Sequence, residues 1–314
     1  MLTTDEITEI FYLCDDFSKE FDKSYKKHIL VAESDKKTRN KPNRLSHSEV
    51  MTILITFHLG GFRNLKHYYV FYVKQHLNGE FPRLVSYNRF VELQQQAVFP
   101  LVIFLKLCRM GQCTGISFVD STTIKACHIK REKMNKVFSG IATKGKGTLG
   151  WFFGFKLHLI INDKGEILSF VITQGNVDDR EPLQYESFIE KVSGKLYADR
   201  GYISQTLRDI LFVDGIHFVT KMRNNMKGGE IPLQDRIYLR KRAIIETVND
   251  ELKNICQIEH TRHRSFTNFI SNLVAGLLAY SFLPKKPSIN VEFVEDFSID
   301  PKTGKFKLLE RLKS

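Results

Sequence analysis

The strongest constraint on this chain is one nine-residue stretch, Ser117-Phe-Val-Asp-Ser-Thr-Thr-Ile-Lys125. Ile116, Phe118 and Val119 lead into a single carboxylate, Asp120, and the β-branched Thr122, Thr123 and Ile124 continue beyond it, a composition that predicts a β-strand. A charge set among strand-forming apolar residues is costly to desolvate, so Asp120 needs a cation, a hydrogen-bond donor or a metal beside it. Taken alone, the stretch is better explained by an aspartate at the end of a strand capping the next turn.

The balance of 47 Lys+Arg against 35 Asp+Glu, a net charge of +12, points to a polyanionic partner, nucleic acid before membrane. Cys14, Cys108, Cys113, Cys127 and Cys256 include no CxxC pair, so neither a disulfide framework nor a zinc ribbon is indicated. The acidic opening MLTTDEITEIF lacks the basic start of a secretory signal, and no uninterrupted apolar run reaches the roughly 20 residues of a membrane span. A cytoplasmic, nucleoid-associated protein is expected. The most apolar run, Phe269 to Leu283, reads as a buried core helix.

Thr3 with Glu6 and Ser46 with Glu49 are capping boxes, each opening a helix. Ile7, Ile10, Phe11, Cys14, Phe17 and Phe21 repeat at helical spacing to about Lys27, and the second helix closes at Gly60 and Gly61. Further helices are predicted from Asn64 to His76 and from Tyr87 to Leu107. Between the first two, Lys36, Lys37, Arg39, Lys41 and Arg44 surround Pro42 in a predicted linker. Capped helices carrying Arg63, Lys66, Arg83 and Arg89 suit a helical DNA-reading module and an ordinary bundle alike.

Beyond the Asp120 strand, Lys130, Arg131, Lys133, Lys136, Lys144 and Lys146 outnumber the single acid Glu132, which predicts a solvated loop, or beside a catalytic strand a track for a phosphate backbone. The run Gly140 to Gly147 approaches a nucleotide-binding P-loop, but Gly147 stands where Ser or Thr is needed and no helix follows, so that cradle is rejected. Trp151 to Ile161 and Ile167 to Thr173, separated by Asn-Asp-Lys-Gly, predict an antiparallel hairpin with His158 as a core histidine. A helix is predicted to run on from Pro182 through about Val192, its N-terminus complemented by Asp178 and Asp179.

Lys195-Leu-Tyr-Ala-Asp199-Arg200-Gly201-Tyr202 reads as a short strand ending in an acid, the place where sites gather in an open sheet, although taken alone a turn-capping aspartate explains it better. A helix near Ser204 to Val213, a strand from Ile216 to Met222 and a loop from Asn224 to Pro232 follow. Arg242 to Lys253 is helical, with Arg242, Glu246, Asp250 and Lys253 on one face and Ile244, Ile245, Val248, Leu252 and Ile255 on the other. A charged outer face braced by i,i+4 pairs has the same pattern. Cys256, His260 and His263 match no closed zinc set, and His260, Arg262, His263 and Arg264 are expected to face solvent or DNA.

The order of elements gives a mixed α/β chain in which a central strand and a neighbouring parallel strand each deliver an acid; were Asp120, Asp199 and Glu246 to converge on one point, they would repel unless divalent cations lay between them. The motifs together resemble the ribonuclease-H-like catalytic core of DDE transposases from bacterial insertion sequences. Asp120 in FVDSTTIK matches the first acid of that family, Asp199 in YADRGY the second and Glu246 in RAIIETVNDELK the third. The related Tyr-x2-Arg-x3-Glu-x6-Lys signature is met at Arg242, Glu246 and Lys253, with Leu239 in the tyrosine's place and Tyr238 one position early.

The resemblance implies a ribonuclease-H-like fold with a mixed five-stranded sheet flanked by helices over residues 111–284, a helical DNA-binding domain over 1–110 and a tail over 285–314. It implies cleavage and transfer of DNA strands at terminal inverted repeats, with Asp120 bridging two Mg2+ or Mn2+ ions that Asp199 and Glu246 also hold, roughly 3.5–4 Å apart in such sites. Arg242, Lys253, Arg200, Lys130, Arg131, Lys144 and Lys146 would contact double-stranded DNA, and a homodimer is expected in the DNA complex. A catalytically silent DNA-binding repressor derived from such an enzyme is the alternative; the three intact acids favour the enzyme.

Overall fold

A computed structural model describes residues 2–28, 43–147, 150–221, 231–259 and 263–289, together with short strands at 297–299 and 306–308. The chain opens with α1 (Thr4–His28), α2 (His47–Leu59), α3 (Leu65–His67), α4 (Lys74–His76), α5 (Tyr87–Gln96) and α6 (Val98–Phe104). Both capping boxes form: Thr3 N–H donates to Glu6 Oε2 (2.7 Å) and Glu6 N–H to Thr3 Oγ1 (3.2 Å), and Ser46 and Glu49 bond reciprocally in the same way. A π-helical stretch, Tyr68–Val73, joins α3 to α4. The single helix predicted from Tyr87 to Leu107 is instead two, bent by 53° at Ala97. Pro100 explains the break, since its missing N–H and its ring are tolerated only in a first helical turn.

Strands β1 (Ile116–Cys127), β2 (Thr143–Gly147), β3 (Gly150–Asn162), β4 (Ile167–Gln174), β5 (Gly194–Ala198) and β6 (Ile216–Thr220) form one mixed sheet. β3 pairs antiparallel with both β1 and β4, and β5 lies parallel between β1 and β6. β2 follows β4 along the same edge of β3, so the sheet is five strands across, as expected, with a sixth short strand added at that edge. The order across the sheet is β4–β3–β1–β5–β6, with β1 at its centre.

The basic stretch expected as a loop is a 3-10 helix, Ile129–Met134, followed by β2. Alternation makes the strand: Thr143, Gly145 and Gly147 turn inward while Lys144 and Lys146 stay exposed. Gly145 is required there, because a Cβ would stand 2.0 Å from the Gly175 carbonyl oxygen. The helix predicted through Val192 shrinks to a 3-10 turn, Glu181–Gln184, and the single turn α7 (Glu186–Ile189), because Tyr185 between them is extended (φ −85°, ψ 115°). α8 (Gln205–Val213) matches its prediction. α9 (Leu233–Lys241) went unpredicted for want of a clear apolar stripe. α10 (Ala243–Asn254) and α11 (Phe266–Phe282) complete the main body. The linker residues Lys36 to Pro42, Met222, most of the 224–232 loop, His260 and Arg262 lie outside the described residues.

The sheet has two covered faces. Phe118, Ile124, Leu157, Leu159, Ile161 and Tyr197 turn toward α10, α11 and the N-terminal helices, whereas Val119, Ile160, Leu196 and Ala198 turn toward α7 and α8. α11 is the predicted core helix, buried nearly all round. Among the described residues no single helix is long and apolar enough to cross a membrane, and all five cysteines are free.

Candidate active site

The β1/β5 register aligns the two aspartates. Ile116 pairs with Lys195, Ser117 with Leu196 and Phe118 with Tyr197; the same offset carried two residues further sets Asp120 opposite Asp199. Neighbouring parallel strands lie about 4.8 Å apart. Parity fixes the face: Asp120 alternates with Phe118 and Asp199 with Tyr197, so both carboxylates turn to the side covered by α10. Asp199 directly follows β5 and caps the turn there, accepting from Gly201 N–H at 2.8 Å. A Cβ on residue 201 would stand 3.0 Å from that carboxylate oxygen, which explains the glycine of the Asp-Arg-Gly-Tyr motif.

α10 brings the third acid. Ile245, Val248 and Leu252 are fully buried against the sheet, which holds the helix beside β1, while Ile255, expected on the same stripe, is 45% exposed because the helix ends at Asn254. Asn249 Nδ2 donates to Asp120 Oδ2 at 3.3 Å, and Lys253 Nζ donates to Thr123 O at 2.8 Å. Glu246 stands one turn before Asn249 and is engaged by Arg242, with Nη2 to Oε1 at 2.6 Å. Lys253 also faces Glu259 at 3.6 Å, and burial pulls its ammonium below the ordinary lysine range.

Burial above all, then repulsion from Asp199 and Glu246, pushes the Asp120 carboxyl up to about 7, against the pull of Arg242 and of the Ser121 backbone N–H. The three acids therefore share one electrostatic neighbourhood. Hard oxygen donors with unbalanced negative charge are a fit for Mg2+ or Mn2+. Among the described residues no three His, Cys, Asp or Glu side chains stand close enough to share one ion, and Glu246 is paired with Arg242 rather than with its fellow acids.

On the opposite face Ser121 Oγ and Lys156 Nζ both donate to Asp179 Oδ1, at 2.8 and 2.9 Å, and Tyr202 is buried close enough to Asp120 and Asp199 that burial and their charges raise its phenol well above the ordinary range. Sequence reasoning missed Asn249, Lys156 and Tyr202, and assigned Asp179 only to a helix end. Asn249 and Lys156 carried no separable signal, since one sits in a charged helical stripe and the other in an apolar strand. His158 is the predicted core histidine, bonded through Nε2 to Thr173 Oγ1 at 2.8 Å and lowered by burial to about 4. Tyr238, displaced from the signature position, packs its ring on Tyr197 (5.4 Å) inside the core.

Of the basic residues expected on DNA, Arg200, Lys130, Arg131 and Lys146 are exposed, and Lys144 is paired with Glu132 at 2.9 Å. His263, expected to face outward, is half-buried and lowered by burial to about 4, whereas Arg264 is exposed.

Against curated proteins the chain finds no match. The solved Mos1 strand transfer complex aligns over 83% of this chain and 82% of that one, at 11% identity and a TM-score of 0.23, a likeness too remote to inform the fold. The family described as transposase DDE domain matches residues 110–266. With half of its length, and all of Asp120, Asp199 and Glu246, inside that domain, the chain belongs to the family of DDE-domain transposases.

Proposed function

We propose that this chain binds the terminal inverted repeats of an insertion sequence, cuts DNA strands there and joins them to a target, using two divalent ions. The observation that carries this reading is the alignment of Asp120 with Asp199 beneath α10, with Asp120 held up to about 7 by burial and by the two other acids. Asp120, Asp199 and Glu246 would hold the ions, which supply Lewis-acid activation of the attacking and leaving phosphodiester oxygens.

The protein's own groups do the positioning. Asn249 orients the Asp120 carboxylate, and Lys253 ties α10 to β1 so that Glu246 keeps its height above the sheet. Arg242, 18% exposed, offers a guanidinium both to Glu246 and to a phosphate beside the scissile bond. Arg200, Lys130, Arg131, Lys144 and Lys146 track the flanking duplex, and the helices of residues 1–110 read the repeat, within a homodimer that pairs two ends.

The test is a purified-chain reaction on duplex DNA carrying an element end, with Mg2+ or Mn2+. Cleavage and joining are expected for the wild type and neither for Asp120→Asn, Asp199→Asn or Glu246→Gln, each of which retains end binding. Cleavage retained by any one of the three removes that residue from the site.

A further inference from the structure

Away from the acids lies a cleft of about 680 Å³, within the range of sites for small ligands. We infer that this cleft takes one unpaired nucleotide of a DNA strand, its phosphate on Arg63, Lys66 and Arg264 and its base beside Tyr87. The inference rests on the reading of the chain as an enzyme acting on DNA strands.

Charge argues for the phosphate. The lining carries Arg63, Lys66 and Arg264 and no acid, and among the described residues none of the three is in an ion pair. α5 and α11, of ten and seventeen residues, both start at the rim, each with a serine cap at Ser86 and Ser265, so their positive dipole ends add to the same field. Like charges collected without a counter-charge repel one another, and an anion relieves that cost.

The inner wall argues for more than phosphate. Gln94 and Asn268 are 2% and 8% exposed and both line the cleft, so side-chain amides form its inner wall. A phosphate diester offers such amides only acceptors, whereas the edge of a base carries both N–H donors and acceptors. The half-buried Tyr87 ring supplies a stacking surface for the same base. A base paired in a duplex has its edge occupied and both faces stacked, so the fitting ligand is an unpaired one.

The segment after α10 is tied both to the loop before Arg63 and to β1. α10 leads from Glu246 to Asn254; beyond it Gln257 Nε2 donates to Gly61 O at 3.0 Å, close in sequence to Arg63, and Glu259 Oε1 accepts from Lys125 N–H at 3.3 Å, on β1 past Asp120.

The experiment is calorimetric titration of the full chain with thymidine 5′-monophosphate, with inorganic phosphate, and with one duplex in blunt and single-strand-tailed forms. The tailed duplex is expected to bind about tenfold tighter than the blunt one, and the mononucleotide to displace the tail better than phosphate does. Combined Arg63→Ala, Lys66→Ala and Arg264→Ala, at exposed side chains, should erase the tail's advantage, and Asn268→Leu the preference for nucleotide over phosphate. Arg264→Glu provides a second surface variant should Asn268→Leu fail to fold. No gain from the tail, a gain that survives the triple substitution, phosphate competing as well as nucleotide, or a mononucleotide that the tailed duplex cannot displace would each overturn the inference. Asp120→Asn should keep the tail's advantage while losing cleavage, which separates failure here from failure of the transposase reading.

Discussion

Asp120 titrates near its ordinary 3.8 in the unfolded chain and at about 7 in the fold. An acid whose folded pKa is raised holds its proton better when folded, so its ionisation erodes stability as pH climbs from 3.8 to 7 and the loss is complete above. The cost is on the order of a few kcal/mol. Without metal, Asp120→Asn should therefore melt higher than the wild type at about pH 8 and no higher at about pH 4. Scanning calorimetry at the two values decides it, and equal melting at the higher pH would dismiss the buried-charge account. Asn249→Asp would set a further carboxylate against Asp120, costing about 2 kcal/mol in metal-free protein and recovering it on adding Mg2+. Urea unfolding with and without Mg2+ reads both halves; a variant indifferent to Mg2+ would show that Asn249 lies outside the ion's field. At this scale the acids were legible because an isolated carboxylate among β-formers is conspicuous, while Asn249, Lys156 and Tyr202 were not, because their significance lies only in what they touch.

Elements fail for different reasons than residues do. α10 carries Glu246 but is held by Val248 and Leu252, both fully buried, so Leu252→Ala should cost about 3 kcal/mol and loosen the helix from β1. Gly154 sits where β3 passes the irregularity in β1 between Lys125 and Cys127, and a Cβ there would stand 2.1 Å from Ile124 O. Gly154→Ala should lower stability by about 3 kcal/mol or more, whereas Gly79→Ala, with nothing within 4 Å of the added carbon, should shift it by well under 1 kcal/mol. Paired urea midpoints test the contrast, and two equal midpoints would show that β1 and β3 can part without cost. Most helices and strands were legible from capping boxes, periodicity and the Asn-Asp-Lys-Gly turn. The failures share a cause: β2 was hidden in a lysine-rich run because glycines replaced the apolar residues of its inner face, and α9 because its burial comes from Asp235 and Tyr238 rather than from an apolar stripe.

At the scale of the whole molecule, burial keeps three histidines neutral. His58, whose Nδ1–H donates to Cys256 O and so ties α2 to the segment after α10, is lowered to about 4, as are His158 in the sheet and His263 beside the nucleotide cleft. For a histidine lowered from 6.5, the folded state pays increasingly as pH falls through that value toward 4, and pays nothing above it. Stability should be flat above about pH 6.5 and fall steeply below it, by a few kcal/mol per histidine, only partly offset by Asp120 regaining its proton. Chemical denaturation across that range checks the slope, and His58→Gln should flatten it; an unchanged profile in that variant would clear His58 of the effect.

The sequence by itself determined the strand and helix that carry Asp120 and Glu246, the capped N-terminal helices and the basic charge that calls for a polyanion, and it singled out three candidate acids, because each is written in local composition or short-range period. Only the tertiary structure decided that β1 and β5 run parallel in the register that sets Asp120 against Asp199, that Asn249 and Arg242 close on the acids, and that Arg63, Tyr87 and Arg264 wall one cleft. Those are contacts between residues far apart along the chain, selected by how apolar faces bury against one another, and no local pattern records them.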